Sequence, residues 1–399
     1  MSGVPPDVDA PAPAVFAPAR LGPVTLKNRI IKSATFEGAT PKGAVTDQLV
    51  TFHERVAAGG VAMTTVAYLA VSPEGRTDRH CVLLGEDRVA DLRRVTDAVH
   101  AAGAAASAQI GHAGPVANAR SNRSPSLAPS RRLGASGVTR AVTEQDIDRI
   151  TEEYRRGAAV AVAAGFDCVE IHLGHNYLLS AFLSPKLNRR TDRWGGSLAN
   201  RARLPRQVVD AVRDAVGDRA AVTAKLNMAD GVDGGFWLEE SIEFGRMLES
   251  DGALDALELT GGSSLSNPMF LFRGEAPRVE FAATLPAPLR AGFRVVGSRF
   301  LVEYPFEEAY FLPYARQFLD ALSLPLILLG GINRLDTVES ALAEGFAFVA
   351  MARALLRQPD LVSRWEQGSA DEGLCIHCNK CMPTIYSGTH CVLVPGPAD

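Results

Sequence analysis

The sequence predicts an α/β fold, a single-domain (β/α)8 TIM barrel, because eight short buried runs alternate with longer helical patterns. Helical stretches followed by a glycine and a buried run recur, as in AAAGFDCVEIH and ALAEGFAFVAM. No G-x-G-x-x-G follows the first run, so a dinucleotide-binding Rossmann domain is not indicated. The predicted strands are Asn28–Ala34, Gly60–Val66, Ala105–Ile110, Asp167–His172, Ala221–Leu226, Ala256–Thr260, Leu324–Leu329 and Ala347–Met351.

The segments between these strands indicate a parallel sheet. Parallel neighbours need crossovers of a dozen residues or more, and the chain offers helical patterns of that length. Eight such units close into a barrel, whereas an open doubly wound sheet usually has about five to seven strands. Examples of the helical patterns are Asp87–Ala102, Glu144–Ala164, Ala199–Val216 and Leu335–Glu344.

Composition narrows the class of partner. The 399 residues carry a formal net charge of −4, which favours neither nucleic acid nor an acidic membrane surface. No run of about 18 uncharged apolar residues predicts a membrane span, and the proline-rich start lacks the pattern of a secretory signal. We therefore expect a cytoplasmic protein with a small-molecule substrate, and homo-oligomerisation stays open. The predicted organisation is a flexible leader over 1–14, the barrel over 15–365 and a Cys-rich tail over 366–399.

One segment, residues 263–310, interrupts the alternation between the sixth and seventh strands. It is rich in Phe, Leu and Pro, and in a barrel this connection lies on the C-terminal face, where substrates bind. The segment is interpreted either as a lid over the site or as an apolar subunit interface. Both interpretations stay open.

Polar residues collect at the carboxyl ends of the predicted strands, where barrel active sites form. Gly331 follows the seventh strand and Arg353 begins a helical pattern after the eighth, which suits phosphate binding. His172 and His175 can together polarise one substrate oxygen, and Tyr177 supplies a phenol suited to proton donation. Taken singly, the same residues are also consistent with a glycine turn, a surface arginine and packed aromatic side chains.

Several segments, in the same order, resemble the blocks of old yellow enzymes. They span about residues 15–365, and the run from His172 to Arg201 is the most specific of them. The resemblance implies a flavin-bearing eight-stranded barrel with FMN as cofactor and NAD(P)H as co-substrate. The segments are LKNRIIKSATFEG, VAYLAVSPEGR, AQIGHAGP, IHLGHNYLLSAFLSPKLNRRTDRWGGSLANR, AKLNMADG, LLGGIN and FVAMARALLRQPDLV.

The resemblance also implies a role for each matching position. Tyr177 corresponds to the proton donor, and His172 and His175 correspond to the pair that holds the substrate's electron-withdrawing oxygen. Lys225 corresponds to the basic residue near flavin N1 and O2, and Gln109 to the amide that reads the pyrimidine edge. The other implied cofactor contacts lie in three places. The loop after the first strand contributes Ser33, Ala34, Thr35 and Phe36, and Tyr68 makes a backbone contact after the second strand. The phosphate cradle consists of Gly331, Ala352 and Arg353.

Four positions depart from the usual family pattern. Phe36 stands where relatives often have Thr, Cys or His, and Tyr68 replaces a small Ala or Gly. Asn176 occupies a position often taken by Gly. Lys225 replaces a common Arg, so a point charge stands where relatives have a bidentate fork. The phosphate cradle and the His/His/Tyr group are retained, so the implied activity is still expected.

The expected activity is that of an FMN-dependent ene-reductase. Hydride passes from the nicotinamide cofactor to flavin N5 and on to the β-carbon of an α,β-unsaturated carbonyl compound, and Tyr177 protonates the α-carbon. A flavin-dependent amine dehydrogenase or demethylase is the first alternative; it needs an aromatic cage for an ammonium group, which the insertion could furnish. A non-catalytic flavin-binding barrel is the second alternative.

Four of the six cysteines crowd into the last part of the chain with the spacing C-x2-C-x2-C-x9-C. This tail resembles the iron–sulfur segment of the dienoyl-CoA reductase and amine dehydrogenase branch, although the last gap is shorter. An iron–sulfur cluster, zinc and unmetallated thiols are all consistent with the pattern. The candidate ligands are Cys375, Cys378, Cys381 and Cys391, with His377 and His390 as substitutes.

Overall fold

The computed structural model describes residues 14–134 and 137–394. Apart from residue 14, the expected leader lies outside the described residues. Eight parallel strands, β1 to β8 in chain order, form the barrel. Their bounds are Ile30–Lys32, Met63–Ala70, Ala105–Gly111, Cys168–Leu173, Ala221–Asn227, Ala256–Thr260, Leu326–Leu329 and Phe348–Met351.

The eight strands close into a ring. Each strand pairs in parallel with the next one along the chain, and β8 returns to β1 at Val349↔Ile30. β1 also pairs with β2 at Ile31↔Met63, so no edge of the barrel sheet is left open between them. The predicted (β/α)8 barrel is confirmed.

A helix follows each strand, as the sequence pattern predicts. The helix Arg203–Val216 shows why these segments are helical: its buried residues recur three and four positions apart and face the barrel. The helix Glu144–Ala163 begins with a capping box between Thr143 and Asp146. The remaining barrel helices are Asp47–Ala58, Val89–Ala101, Leu238–Asp251, Leu312–Leu319, Leu335–Ala343 and Arg353–Arg357, with Leu361–Glu366 after the last.

The first two strands differ from their predicted bounds. Asn28 lies outside β1, because its amide donates to the Gly60 carbonyl and its Oδ1 accepts from the Ile30 N–H. β2 starts later and runs further than expected, to Ala70, because its pairing with β3 resumes after an irregularity between Val66 and Leu69. The longer β2 carries Tyr68 to the site end of the barrel.

Two small sheets lie outside the barrel sheet. An antiparallel hairpin of Ala19–Leu21 and Val24–Leu26 packs its apolar side chains with Ile31 and Phe348 in a buried cluster at the N-terminal end. The other sheet joins Leu127–Ala128, Arg132–Gly134 and Gly137–Ala141 after β3. The hairpin closes the end of the barrel opposite the candidate site.

The insertion after β6 packs against the tail. It contains the helices Arg278–Thr284 and Ala287–Phe300, and an apolar cluster joins Met269 and Leu301 of the insertion to Met382 of the tail. Further along the tail, the Thr389 N–H donates to the Glu37 carbonyl at 2.6 Å, and the Thr389 hydroxyl donates to the Phe36 carbonyl. The tail therefore reaches the loop after β1.

Among the residues that the structure describes, none of the helices has both the length and the apolar character that a membrane crossing requires.

Candidate active site

The strand ends bring the predicted catalytic and flavin-edge residues together. His172 on β4 lies in register with Lys225 on β5, and Gln109 on β3 lies in register with Glu170 on β4. Because residues two apart on a strand face the same side, Glu170 and His172 share the inner face of β4. All of these side chains are buried.

The imidazoles of His172 and His175 contact each other. His175 Nδ1 lies 3.3 Å from His172 Nε2. His175 and Asn176 both have left-handed backbones, with φ of 58° and 60°, and Asn227 Oδ1 accepts a hydrogen bond from the His175 N–H at 3.1 Å. Asparagine adopts this conformation more readily than most residues with a Cβ atom. This turn explains how Asn176 can stand where relatives often have Gly.

Both imidazoles are uncharged at neutral pH. Burial lowers the pKa of His172 well below its usual value, and the neighbouring His175 and Lys225 lower it further. Burial and the charge of Lys225 lower the pKa of His175 to about 3. A neutral imidazole has one N–H donor and one acceptor nitrogen. The pair can therefore donate hydrogen bonds to an oxygen, but it is not a source of protons.

Tyr177 lies in an aromatic corner beside the pair. Its ring centroid is 4.6 Å from that of His172 and 5.3 Å from that of Tyr68, both edge to face. The buried Tyr68 hydroxyl donates to the Gly75 carbonyl at 2.9 Å, so the ring of Tyr68 is anchored. Phe36 packs on the same cluster. Two of the four departures from the family pattern, Phe36 and Tyr68, thus belong to the same apolar cluster as Tyr177.

A buried charge network lies below the histidines. Lys225 Nζ is 3.0 Å from a Glu258 oxygen and 3.3 Å from a Glu170 oxygen, and it donates to Ser33 Oγ at 3.0 Å. The Gln109 amide donates to Glu170 at 2.7 Å. Ser33, Gln109 and Lys225 were predicted from the sequence, whereas Glu170 and Glu258 were missed. The alternation of Glu170 with His172 along β4 is the signal that could have found the first of them.

Gly331, Ala352 and Arg353 lie at the ends of β7 and β8, as predicted. Gly331 has φ 77°, and a Cβ atom there would lie 2.5 Å from the ring of Tyr310, so only glycine fits. Arg353 begins a helix that ends at Arg357, shorter than the predicted pattern, because Pro359 cannot continue it. Its guanidinium donates to the Arg273 carbonyl at 2.8 Å and to Asn379 of the tail.

These residues fit a flavin mononucleotide. Gln109 and Lys225 offer amide and cationic groups for the ring edge, while Gly331 and Arg353 offer main-chain groups and a guanidinium for a phosphate. His172 Nδ1 is buried and has no hydrogen-bond partner among the described residues, as expected of a group that faces a ligand. Thr35, in the loop after β1, instead turns its hydroxyl to Lys32 and Glu37.

The four tail cysteines line one small pocket, which is partly open to solvent and which Arg353 also lines. All six cysteines of the chain are free thiols. Burial raises the pKa of Cys381 to about 12, although the charge of Arg353 opposes this. Within the described residues, no three His, Cys, Asp or Glu side chains are arranged to hold a single metal ion. His377 is stacked on Phe306, with ring centroids 3.4 Å apart.

Comparisons with known proteins identify the family of this chain. Residues 14–254 match the model of the NADH:flavin oxidoreductase / NADH oxidase family. Over 386 residues the chain is 59% identical to the 4,4'-dithiodibutanoate disulfide reductase of Rhodococcus erythropolis, with 96% of both chains covered. Over 337 residues it is 30% identical to the multifunctional alkene reductase/demethylase OYE of Caballeronia cordobensis, with 83% of this chain and 45% of that relative covered. The chain therefore spans about half the length of the second relative.

A solved structure of a 2-naphthoyl-CoA reductase complex shares the fold, with a TM-score of 0.81 at 24% identity over 96% of this chain and 57% of that one. The family match and the relatives define the chain as an oxidoreductase. The chain belongs to the NADH:flavin oxidoreductase / NADH oxidase family, and the resemblance to old yellow enzymes is confirmed. At the level of the family, a flavin cofactor and a nicotinamide reductant are supported.

Proposed function

We propose that this chain is an FMN-dependent NAD(P)H oxidoreductase that reduces the activated double bond of an α,β-unsaturated carbonyl compound. The observation that carries the proposal is the group of His172, His175 and Tyr177 beside Lys225 at the strand ends. When bound, FMN would supply hydride that it receives from a nicotinamide cofactor. The residues that would hold it are Ser33, Ala34, Thr35, Phe36, Tyr68, Gln109, Lys225, Gly331, Ala352 and Arg353.

The protein side chains have two tasks, which are to stabilise the charge on the substrate oxygen and to donate a proton. When the β-carbon of an enone receives hydride, negative charge grows on the carbonyl oxygen, so N–H donors aimed at that oxygen bind the transition state more tightly than the ground state. His172 and His175 supply these donors. Because both imidazoles are neutral, the proton for the α-carbon comes from Tyr177, whose ring lies 4.6 Å from His172.

Amine oxidation, the first alternative, has less support, because the aromatic rings expected to form a cage for a substrate ammonium group already contact another cation. The aromatic rings of the insertion and its flank, Phe270, Tyr304 and Tyr310, surround the guanidinium of Arg273, at 5.3, 5.8 and 5.2 Å from the ring centroids. The cation that these rings hold is therefore the chain's own. Since the relatives are oxidoreductases, the non-catalytic alternative also has less support.

Reduction of an organic disulfide is a second candidate, favoured by the 59% identity to the disulfide reductase. Hydride attack on one sulfur breaks the S–S bond and gives one thiol and one thiolate, and a proton from Tyr177 converts the thiolate to the second thiol. The balance is one NAD(P)H and one proton for each disulfide. The same hydrogen-bond donors that hold an enone oxygen can stabilise the departing thiolate.

For the tail we propose an iron–sulfur cluster bound by Cys375, Cys378, Cys381 and Cys391. The convergence of all four thiols on one cavity supports this proposal. A closed zinc site has less support, because it needs its ligands around one ion. Iron and acid-labile sulfide in anaerobically purified protein test the proposal, and their absence together with retained flavin would remove it.

The experiment that tests the main proposal begins with the purified protein, which should be yellow and release FMN. A phenol stacked on the flavin should produce a long-wavelength band, and His172→Ala or His175→Ala should weaken phenol binding about 10- to 100-fold, since each removes a charge-assisted hydrogen bond worth about 1.5–3 kcal/mol. His100→Ala, at the exposed end of the helix Val89–Ala101, is the matched control. Normal phenol binding and enone reduction in both variants would contradict the proposed roles of His172 and His175.

A comparison of substrates separates the two candidate functions. Specificity constants for a cyclic enone and for a dialkyl disulfide are measured with the same enzyme preparation. Tyr177→Phe should slow both oxidative half-reactions while leaving phenol binding unchanged, because only the proton is lost. Efficient turnover of the disulfide with none of the enone would replace the first candidate by the second.

A further inference from the structure

One arginine of the insertion, Arg273, is held by aromatic rings and has no anionic partner in the described part of the chain. Its guanidinium carbon lies 5.3, 5.8 and 5.2 Å from the ring centroids of Phe270, Tyr304 and Tyr310. Its Nε is buried and donates to no acceptor among the described residues. The rings position this guanidinium, but they do not neutralise its charge.

A second guanidinium, that of Arg353, lies next to the first. Its Nη1 donates to the Arg273 carbonyl at 2.8 Å, and its Nη2 lies 3.4 Å from the Tyr310 hydroxyl. Burial raises the pKa of Tyr310, and the charges of both arginines oppose this rise. Among the residues that the structure describes, Arg353 also forms no ion pair with a carboxylate. Two cations therefore lie around one phenol without a counter-ion from the described chain.

This arrangement differs from that of other partly buried arginines of the barrel. Arg213, for example, is paired with Asp255 at 2.7 Å. Two like charges repel each other, and they do so more strongly where burial lowers the effective dielectric constant. Guanidinium groups bind carboxylate and phosphate oxygens through paired N–H donors. The charge of Arg273 and Arg353 together therefore suits an anionic group that a ligand supplies.

The rings around Arg273 connect it to two parts of the proposed ligand site. A Cβ atom on Gly331 would lie 2.5 Å from the ring of Tyr310, so one ring separates Arg273 from the proposed phosphate cradle. A Cβ atom on Gly261 would lie 3.1 Å from the ring of Phe270. Gly261 directly follows β6, whose last residue contacts the second histidine of the pair. Arg273 is thus one ring away from the cradle and one ring away from this strand end.

We propose that Arg273 and Arg353 together form an oxyanion site, to which the insertion contributes one of the two charges. The ligand group is a phosphate or a carboxylate. The flavin phosphate and an acidic group of the substrate are the two sources with this chemistry. The proposal deepens the proposed function and rests on it for the identity of the ligand. It makes the insertion a part of the ligand site.

The test uses two variants of the same position. Arg273→Gln removes the charge, whereas Arg273→Lys keeps the charge but loses the bidentate fork. Arg294→Gln is the matched control, because Arg294 is an exposed arginine of the same insertion. All variants are made in the full chain.

The first readout is the affinity of the chain for FMN and for riboflavin, which lacks the phosphate. Because Tyr310 packs against Gly331, we expect the flavin phosphate to be the source. Arg273→Gln should then bind FMN about 10- to 100-fold more weakly and riboflavin as wild type does, since a charge-assisted contact with the phosphate is lost. Arg273→Lys should lie between them, and Arg294→Gln should match wild type. An equal loss for both flavins would show that Arg273 only stabilises the fold, which overturns the proposal.

The second readout is the Michaelis constant of the flavin-saturated enzyme for an enone that bears a carboxylate and for its uncharged methyl ester. If the substrate supplies the anion, Arg273→Gln should raise KM for the acid about 10- to 100-fold and leave the ester and FMN affinity unchanged. Wild-type values in both readouts overturn the proposal, while the proposed function stands. A wild-type chain that binds neither flavin and reduces neither enones nor disulfides would instead contradict the proposed function.

Discussion

Two lysines are buried in the barrel wall, and their surroundings differ in charge. Lys32 on β1 is paired with one carboxylate, Glu37, at 2.9 Å. Lys225 on β5 lies between two, Glu258 at 3.0 Å and Glu170 at 3.3 Å. The first lysine has a partner of equal and opposite charge, whereas the second has one carboxyl group too many.

The difference sets what each region can do. Burial would raise the pKa of Glu37, but the charge of Lys32 and the nearby His53, whose Nε2 lies 3.8 Å from Glu37 Oε1, overcome it, so this pKa lies below its usual value. Burial raises the pKa of Glu170 to about 8, although Lys225 opposes the rise. The Lys32–Glu37 pair is therefore a fixed structural ion pair. The Lys225 network holds a titratable proton next to the proposed flavin edge.

The largest effect should come from Lys32→Met. It leaves Glu37 buried without its partner, and the loss of one member of a buried pair costs about 3–5 kcal/mol. Urea unfolding at neutral pH measures it, with Lys42→Met at an exposed lysine as the control. Adding Glu37→Gln should restore much of the loss. A free energy of unfolding equal to that of wild type would show that the Lys32–Glu37 ion pair does not stabilise the fold.

Glu170→Gln should change how stability depends on pH. Since the pKa of Glu170 is about 8 in the fold and 4.5 ordinarily, the folded protein holds a proton that the unfolded chain releases between these values. Its stabilising contribution is complete below pH 4.5 and falls by about 1.4 kcal/mol per pH unit until about pH 8.

Wild type should therefore lose about 2–3 kcal/mol relative to Glu170→Gln between pH 6 and 8. Unfolding in urea at several pH values measures the difference. Glu344→Gln is the control, because the Arg316 hydrogen bond keeps the pKa of Glu344 below its usual value and no slope is expected there. Parallel curves for wild type and Glu170→Gln would show that Glu170 is ionised in the fold.

Lys225→Met should cost less stability than Lys32→Met, about 1–3 kcal/mol at pH 6. The one negative charge left behind is shared by two carboxyl groups and the proton that Glu170 already holds, whereas in Lys32→Met it stays on Glu37 alone. Flavin retention, in contrast, should fall, since Lys225 is the proposed cation at the ring edge. A loss of stability as large as that of Lys32→Met would remove the distinction between the two regions.

The sequence predicts the barrel well because hydrophobic runs of strand length recur with helices between them. Its failures are local. The hairpin Ala19–Leu21 and Val24–Leu26 was missed because strands of three residues are too short for a periodic pattern. Asn28 was counted in β1 although its side chain caps the strand. Thr260, the predicted end of a strand, carries no motif, and its contact with His175 depends on the closed barrel.

The contact of Thr389 with Phe36 and Glu37 has a consequence for how the protein is made. These partners are 353 and 352 positions apart in the chain, since 389 − 36 = 353 and 389 − 37 = 352. Contacts across such separations form late, because a long loop must be closed before they stabilise anything. The loop after β1 therefore takes its final neighbours only after Thr389 has been synthesised and the tail has docked. A ligand of that loop is therefore surrounded by its complete set of protein neighbours only after this step.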